Sequence, residues 1–253
     1  MKKIVLMIGI LGLVAFGMAS CERDDDNGGT GNGNTPSTPT NPTDTTSTPT
    51  DTTATPVPDG WVDLGLPSGL LWAKCNLGAT TPEGYGNYYA WGETQPKNEY
   101  TWATYTYGDY DYDGACHLYK YNTSDSYGTV DNKTTLEAMD DAATAALGTG
   151  ARIPTYDDWV ELRSNTTGKW TQQNGVNGWK FTATNGNSLF LPAAGYRRGS
   201  SLYDVGTNGN YWSSSLLADY PDDARNFYFL SAGSDMRGSL RLSGFSVRAV
   251  RQN

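Results

Sequence analysis

Histidine is nearly missing from this chain. His117 stands alone among 253 residues, beside only three cysteines. A Ser-His-Asp hydrolase would have to use His117, which sits in a Gly/Asp-rich insertion without a nucleophile elbow, so that class is disfavoured by inventory. Basic residues are scarce too, 18 Lys and Arg against 27 Asp and Glu, with no basic stripe anywhere. An acidic surface repels phosphate backbones, which argues against nucleic acid as a partner. No apolar run is long enough to span a bilayer: the longest, Ile4–Phe16, falls short of the ~20 residues a crossing helix needs. The acidic residues leave carboxylate-pair chemistry open, because spacing in sequence says little about spacing in space.

The N-terminus has an address. Met1-Lys2-Lys3, the apolar run and Gly17-Met18-Ala19-Ser20 are the basic, hydrophobic and small-residue parts of a secretory signal over 1–20. Met18-Ala19-Ser20-Cys21 resembles a bacterial lipobox, which implies that Cys21 is lipidated and anchors the chain to a membrane. Glu22-Arg23-Asp24-Asp25-Asp26 resembles an acidic export tag of outer-membrane lipoproteins that face outward; a solvated charge run is the plainer reading. Loss of Lys2 and Lys3 leaves 16 basic against 27 acidic residues, a mature charge of −11.

Residues 21–58 are a Thr/Pro/Asp-rich stalk without aromatics. Such a composition buries nothing and is expected to stay disordered. The 37 residues after Cys21 span roughly 30–35 Å as a flexible coil. Asp44-Thr45-Thr46 and Asp51-Thr52-Thr53 resemble a short O-glycosylation sequon, or are ordinary linker chemistry.

The domain, 59–253, is rich in Trp, Tyr and Gly. Leu136, Met139, Ala143 and Leu147 predict a helix over Thr134–Leu147, and Thr155 with Asp158 predicts a capped helix over Pro154–Arg163 with Trp159 and Leu162 inward. Asn-Gly pairs at 174–175, 177–178, 185–186 and 208–209 predict hairpin turns. Strands are expected at Gly178–Thr184, Ser188–Leu191, Tyr211–Ser215, Asn226–Ser231 and Phe245–Arg251. Two helices among many short strands and long loops indicate an α+β fold without a parallel sheet. The tryptophans Trp61, Trp72, Trp91, Trp159 and Trp212 are expected in the core.

Several segments carry a family likeness: Trp61–Ala73, Tyr88–Thr94, Ala151–Thr155, Leu191–Arg197, Tyr211–Ser215 and Gly244–Arg248. Together they resemble the Fibrobacter succinogenes major paralogous domain family across 60–251. The resemblance implies a C-type-lectin-like fold of the formylglycine-generating-enzyme type, usually secreted or lipid-anchored. The oxidase members of that wider group need a late cysteine pair and the iron-dependent members several histidines. Here no cysteine follows Cys116. The last sixty residues also resemble variable regions diversified by retroelements. That likeness implies a fixed framework of Gly195-Tyr196, Gly209, Tyr211–Ser215, Phe227, Phe229, Arg241 and Gly244–Arg248; an ordinary loop-rich face is the plainer reading.

Metal has one candidate, Asp109, Asp111 and Asp113 in an EF-hand-like spacing. Lys120 stands where the bidentate Glu is required, so an EF-hand fails and only a different calcium site stays open. The Glu-Pro-Asn motif of calcium-dependent sugar-binding lectins is absent, and no other cofactor is expected. Cys75 and Cys116 could form one disulfide; the sequence leaves this open.

The expected function is ligand binding without catalysis. Tyr203, Leu216, Leu217, Tyr220, Tyr228 and Leu240 lie among polar turns, where aromatic and apolar side chains make contacts. Asn226 and Leu230 share the face of Tyr228 by strand alternation, opposite Phe227 and Phe229. Arg197, Arg198, Asp204, Asp223, Asp235 and Arg237 would add specificity. The expected partner is a protein or glycan at the cell surface. The rivals are a degenerate formylglycine-generating-enzyme relative and an accessory subunit of a fimbria.

Overall fold

Glycine-punctuated apolar runs too short for helices become short strands, and the chain stacks them around aromatic side chains. The computed structural model describes residues 56–111 and 114–253. The signal sequence, Cys21, the stalk through residue 55 and Asp113 lie outside the described residues. Strands β1 (Trp61–Asp63) and β2 (Leu70–Ala73) pair first, followed after a long segment by the hairpin β3 (Gly108–Tyr110) and β4 (Cys116–Leu118). Helix α1 (Ala142–Leu147), strand β5 (Ala151–Arg152) and helix α2 (Tyr156–Asn165) come next. A meander β6 (Thr166–Gln173), β7 (Val176–Ala183) and β8 (Ser188–Pro192) leads to the small hairpin β9 (Tyr196–Arg198) and β10 (Ser201–Tyr203).

The last sheet is β11 (Asn208–Leu216), β12 (Asp223–Leu230) and β13 (Gly233–Leu240). Strand β14 (Val250–Gln252) then returns between β2 and β5, so the two ends of the domain share one sheet. Every pairing between these strands is antiparallel and none of the described sheets closes into a barrel: the class is α+β. Among the described residues no helix is long and apolar enough to cross a membrane.

Helix α2 forms where its signals lie. Asp158 N donates to Thr155 Oγ1 at 3.1 Å and Thr155 N to Asp158 Oδ2 at 2.7 Å, and Trp159 and Leu162 are fully buried. The other helix is shorter than its periodicity predicts. Asp141 caps it by accepting from Ala143 N and Thr144 N, and a single 3-10 turn covers Ala138–Asp140. An acidic side chain that bonds the backbone ahead of it starts a helix and does not continue one. As a result Met139 and Leu147 are exposed, and Ala142 and Ala143 supply the buried face.

Two of the four Asn-Gly pairs are turns. Asn174 and Gly175, at φ +48° and +83°, join Gln173 to its partner Val176 as a two-residue loop. Asn185-Gly186 lies in the connection from β7 to β8. Asn177-Gly178 and Asn208-Gly209 lie inside strands instead, because their glycines meet packed neighbours. A Cβ on Gly209 would sit 2.2 Å from the Phe229 ring, and one on Gly178 would sit 2.3 Å from Leu191 O. The expected strand Phe245–Arg251 is a ladder only from Val250. Residues 241–250 are all buried, so this stretch threads the interior, where Phe245 exchanges two backbone bonds with Tyr89 and Ser246 N donates to Asn210 O.

Aromatic rings fill two large cores. In one, Trp159 stacks on Phe227 at 4.9 Å, with Trp72, Phe181 and Phe229 around them. In the other, Trp212 stacks on Phe245 at 4.2 Å, beside Trp91 and Tyr121. Trp72, Trp91, Trp159 and Trp212 are fully buried, and Trp61 is half-buried at the edge of the second core. Two arginines are fully buried as well, and each is satisfied without a carboxylate. Arg241 donates to Tyr105 Oη and to the carbonyls of Lys120, Tyr121 and Pro221.

Candidate recognition surface

Alternation along the β11–β13 sheet gives it two unlike faces. Tyr211, Phe227, Phe229 and Met236 face the first core. The opposite face begins apolar, with Trp212 and Ala224 in the second core, and then turns polar at Asn208, Asn210 and Asn226.

The polar residues there form one hydrogen-bonded row. Ser239 Oγ donates to Asn226 Oδ1 at 3.0 Å, and Asn226 Nδ2 to Asn210 Oδ1 at 3.5 Å, the weakest link. Asn210 Nδ2 donates to Asn208 Oδ1 and Asn208 Nδ2 to Asp204 Oδ2, both at 3.0 Å. A carboxamide has two N–H donors and two acceptor lone pairs, so the row fixes Asn210 while leaving it one of each.

Above the row lies a cavity of about 210 Å³. Asn210, Ser239 and Ser243 line it on the polar side, and Tyr196, Leu240 and Phe245 on the apolar side. Arg198 is its one charged lining residue. Ser243 is 7% exposed, yet its hydroxyl has no partner among the described residues. The size is below the ~300–1,000 Å³ of pockets for drug-sized molecules and suits one residue of a larger ligand.

The β9–β10 hairpin forms one wall because backbone bonds tie it on both sides. Gly195 N donates to Asn208 O at 2.8 Å, Arg197 and Gly244 exchange two bonds, and Tyr100 and Gly199 exchange two more. Gly199, at φ +56°, takes the first position of the two-residue turn between Arg198 and Ser201. Tyr203 stacks on Tyr196 at 5.4 Å and remains 45% exposed.

The sequence-predicted residues divide on this geometry. Arg198, Tyr203, Asp204, Tyr228, Arg237 and Leu240 gather on or beside the polar face. The Arg237 guanidinium lies 3.8 Å from the centre of the Tyr228 ring, a cation–π contact that holds both. Leu230 is half-buried on the same face, and Asp235 is exposed on β13, 3.9 Å from Arg163. Arg197 is half-buried with its guanidinium over Tyr88.

Others need correction. Leu216 is 5% exposed and belongs to the second core, because the bulge between Trp212 and Leu216 turns it inward. Asn226 is fully buried and supports the row without being an exposed contact. Leu217 is half-buried beside Gly238, and Asp223 points to that side as well, away from Asn226. Tyr220 is exposed on the β11–β12 turn and does not line the cavity. Sequence reasoning missed Asn208, Asn210, Ser239 and Ser243. Reading Asn208-Gly209 as a turn hid the alternation of Asn208, Asn210 and Trp212 that would have placed two of them.

Elsewhere, Cys75 and Cys116 are free thiols, so the bridge left open by the sequence is not formed. Burial, with the negative charge of Asp222 adding to it, pushes the Cys116 thiol up to about 11, which keeps it protonated at neutral pH. Of the calcium candidates, Asp109 lies on β3 and Asp111 accepts from Ala115 N at 2.9 Å, with His117 Nε2 3.5 Å away. No cluster of three or more metal-binding side chains occurs among the described residues. A larger cavity of about 300 Å³ lies between Trp61, Cys75, Leu77 and Leu147, outside the face with unspent donors.

Asp223 gives this end of the sheet a pH dependence. Burial pushes its carboxyl up to about 6, and the neighbouring Asp222 charge adds to the shift. A carboxyl raised in the folded state costs stability as pH rises from its unfolded value near 4 through 6. Asp223→Asn is therefore expected to raise stability at pH 8, by about 1–2 kcal/mol after allowance for residual solvent contact and with a higher Tm, and to give no gain at pH 4. Thermal unfolding at both pH values checks this; equal gains at both would contradict it.

Compared with known proteins, the chain matches no family model, no curated protein and no solved structure.

Proposed function

We propose that this chain is a non-catalytic recognition protein of the cell surface: an outer-membrane lipoprotein, anchored through Cys21, whose stalk presents a C-type-lectin-like domain to a protein or glycan ligand. The α+β class, the paired ends of the domain and the irregular aromatic core support that fold. The observation that carries the binding assignment is the Asn208–Asn210–Asn226–Ser239 row. A buried polar row is costly unless its members are satisfied, and this one is satisfied while still offering donors and acceptors outward. Rigid aromatic and arginine side chains beside it, Tyr203 and the Tyr228–Arg237 pair, provide contact area at low entropic cost.

The test is an array of surface proteins and glycans probed with the full-length protein in detergent micelles. Ligands bound by the wild type should be lost, by tenfold or more, by the combined variant Tyr203→Ala, Tyr228→Ala and Arg237→Ala. Its Tm should stay within a few degrees, since all three side chains are partly or largely exposed. A variant that binds the same ligands equally well would remove the site, and a wild type that binds nothing would remove the function.

A further inference from the structure

The cavity beside Asn210 narrows the ligand class, an inference that rests on the recognition reading above. We propose that it accepts one sugar residue bearing a carboxylate, without calcium, as part of an acidic glycan.

Three features of the lining point there. The polar side chains facing the space are amides and hydroxyls: Asn210 and Ser243 can each donate and accept, and Ser239, whose proton goes to Asn226, can accept. Neighbouring hydroxyls on a sugar ring are donors and acceptors in the same way, whereas an acidic amino-acid side chain only accepts. The Ser243 hydroxyl is the sharpest case: nine-tenths buried, without a partner among the described residues, and at the cavity wall. Its oxygen is not sealed from solvent, so the hydroxyl is open to the cavity, and a ring hydroxyl placed there would pair it.

Arg198 supplies the charge preference. It is exposed on β9 and lines the cavity, and its guanidinium has no hydrogen bond or ion pair among the described residues. No carboxylate lines the cavity, in a chain whose acidic residues outnumber the basic by nine. The nearest carboxylate of the row, Asp204, already accepts from Asn208 Nδ2. A free, planar two-pronged donor in an acid-free recess matches a carboxylate. Tyr196 and Phe245 close the apolar side, where the C–H face of a ring would lie.

Titration calorimetry and saturation-transfer NMR on the full-length protein in micelles, with and without EDTA, test the assignment. The probes are methyl β-D-glucuronide, methyl β-D-glucoside and N-acetyl-aspartate amide. The glucuronide should bind about tenfold more tightly than the glucoside, the effect of one charge-assisted bond pair, and EDTA should change nothing. Arg198→Gln should abolish that preference while leaving glucoside binding within about twofold, and Ser243→Ala should weaken both sugars. Equal binding of the two glycosides, a preference that survives Arg198→Gln, or loss in EDTA would overturn the proposal. Aspartate amide binding as tightly as the glucuronide would assign the recess to acidic peptide and overturn it too. If the array ligands still depend on Tyr203, Tyr228 and Arg237 when the glucuronide preference is absent, recognition stands and the acidic-sugar assignment alone falls. If the array variant loses nothing, the recognition reading falls with it.

Discussion

Arg248→Met should remove about 4 kcal/mol of stability. The side chain is fully buried, and it spends its fork on one short segment. Nε and Nη2 donate to Asn76 Oδ1 at 3.0 and 2.7 Å, and Nη1 donates to the carbonyls of Ala73 and Lys74 at 3.0 and 2.7 Å. Methionine fills much of the space but leaves those acceptors dry, each costing roughly 1–3 kcal/mol before relaxation. The segment it holds follows β2, against which β14 pairs, so the closure of the domain depends on the contact. A native domain has about 5–15 kcal/mol in total, so most of the margin is at stake. Arg248→Lys should recover only part of the loss, because an ammonium cannot satisfy the same acceptors as a planar fork. Urea unfolding of the three proteins reads the order directly; a Met variant within 1 kcal/mol of wild type would contradict it.

Gly195→Ala should cost about 3–5 kcal/mol and displace the β9–β10 hairpin. Gly195 sits at φ +66°, and a Cβ there would lie 1.9 Å from Tyr203 O and 2.9 Å from Val205 N. Both neighbours are backbone, so neither can swing aside. Relief requires the chain after β10 to move, and Tyr203 and Asp204 move with it. Gly199→Ala is the matched control. That glycine has φ +56° and nothing within 4 Å of the added carbon, so it should cost only the backbone strain, about 1–2 kcal/mol. The difference between the two variants isolates the clash. Gly195→Ala should also lose binding to array ligands, whereas Gly199→Ala should keep it. Equal stability of the two variants would show that the hairpin is not packed as described.

Much of the fold was legible where a local signal had no competitor. Thr155 and Asp158 defined the start of α2 because the capping box needs no tertiary help. The tryptophan core followed from the sheer apolar area of the rings. Three features failed for tertiary reasons. Asp141 started the helix late, by capping a shorter one at Ala142. Gly178 and Gly209 served close packing where a turn was expected, and in Gly209 that choice hid the strand carrying Asn208 and Asn210. Residues 241–250 lie buried on all sides, which no alternation pattern signals. The β9–β10 hairpin was within reach, since Gly199-Ser200 is a two-residue hairpin signal. The polar row was not, because it joins side chains from three strands and a loop.

Hydrogen exchange by mass spectrometry, on the full-length protein with and without the strongest ligand from the array, tests the recognition surface most directly. Slowed exchange is expected in 195–212 and 226–243, with no change around the larger cavity at Gly60–Trp61 and Cys75–Ala79. Protection centred on that second cavity, or none on the β11–β13 face, would contradict it.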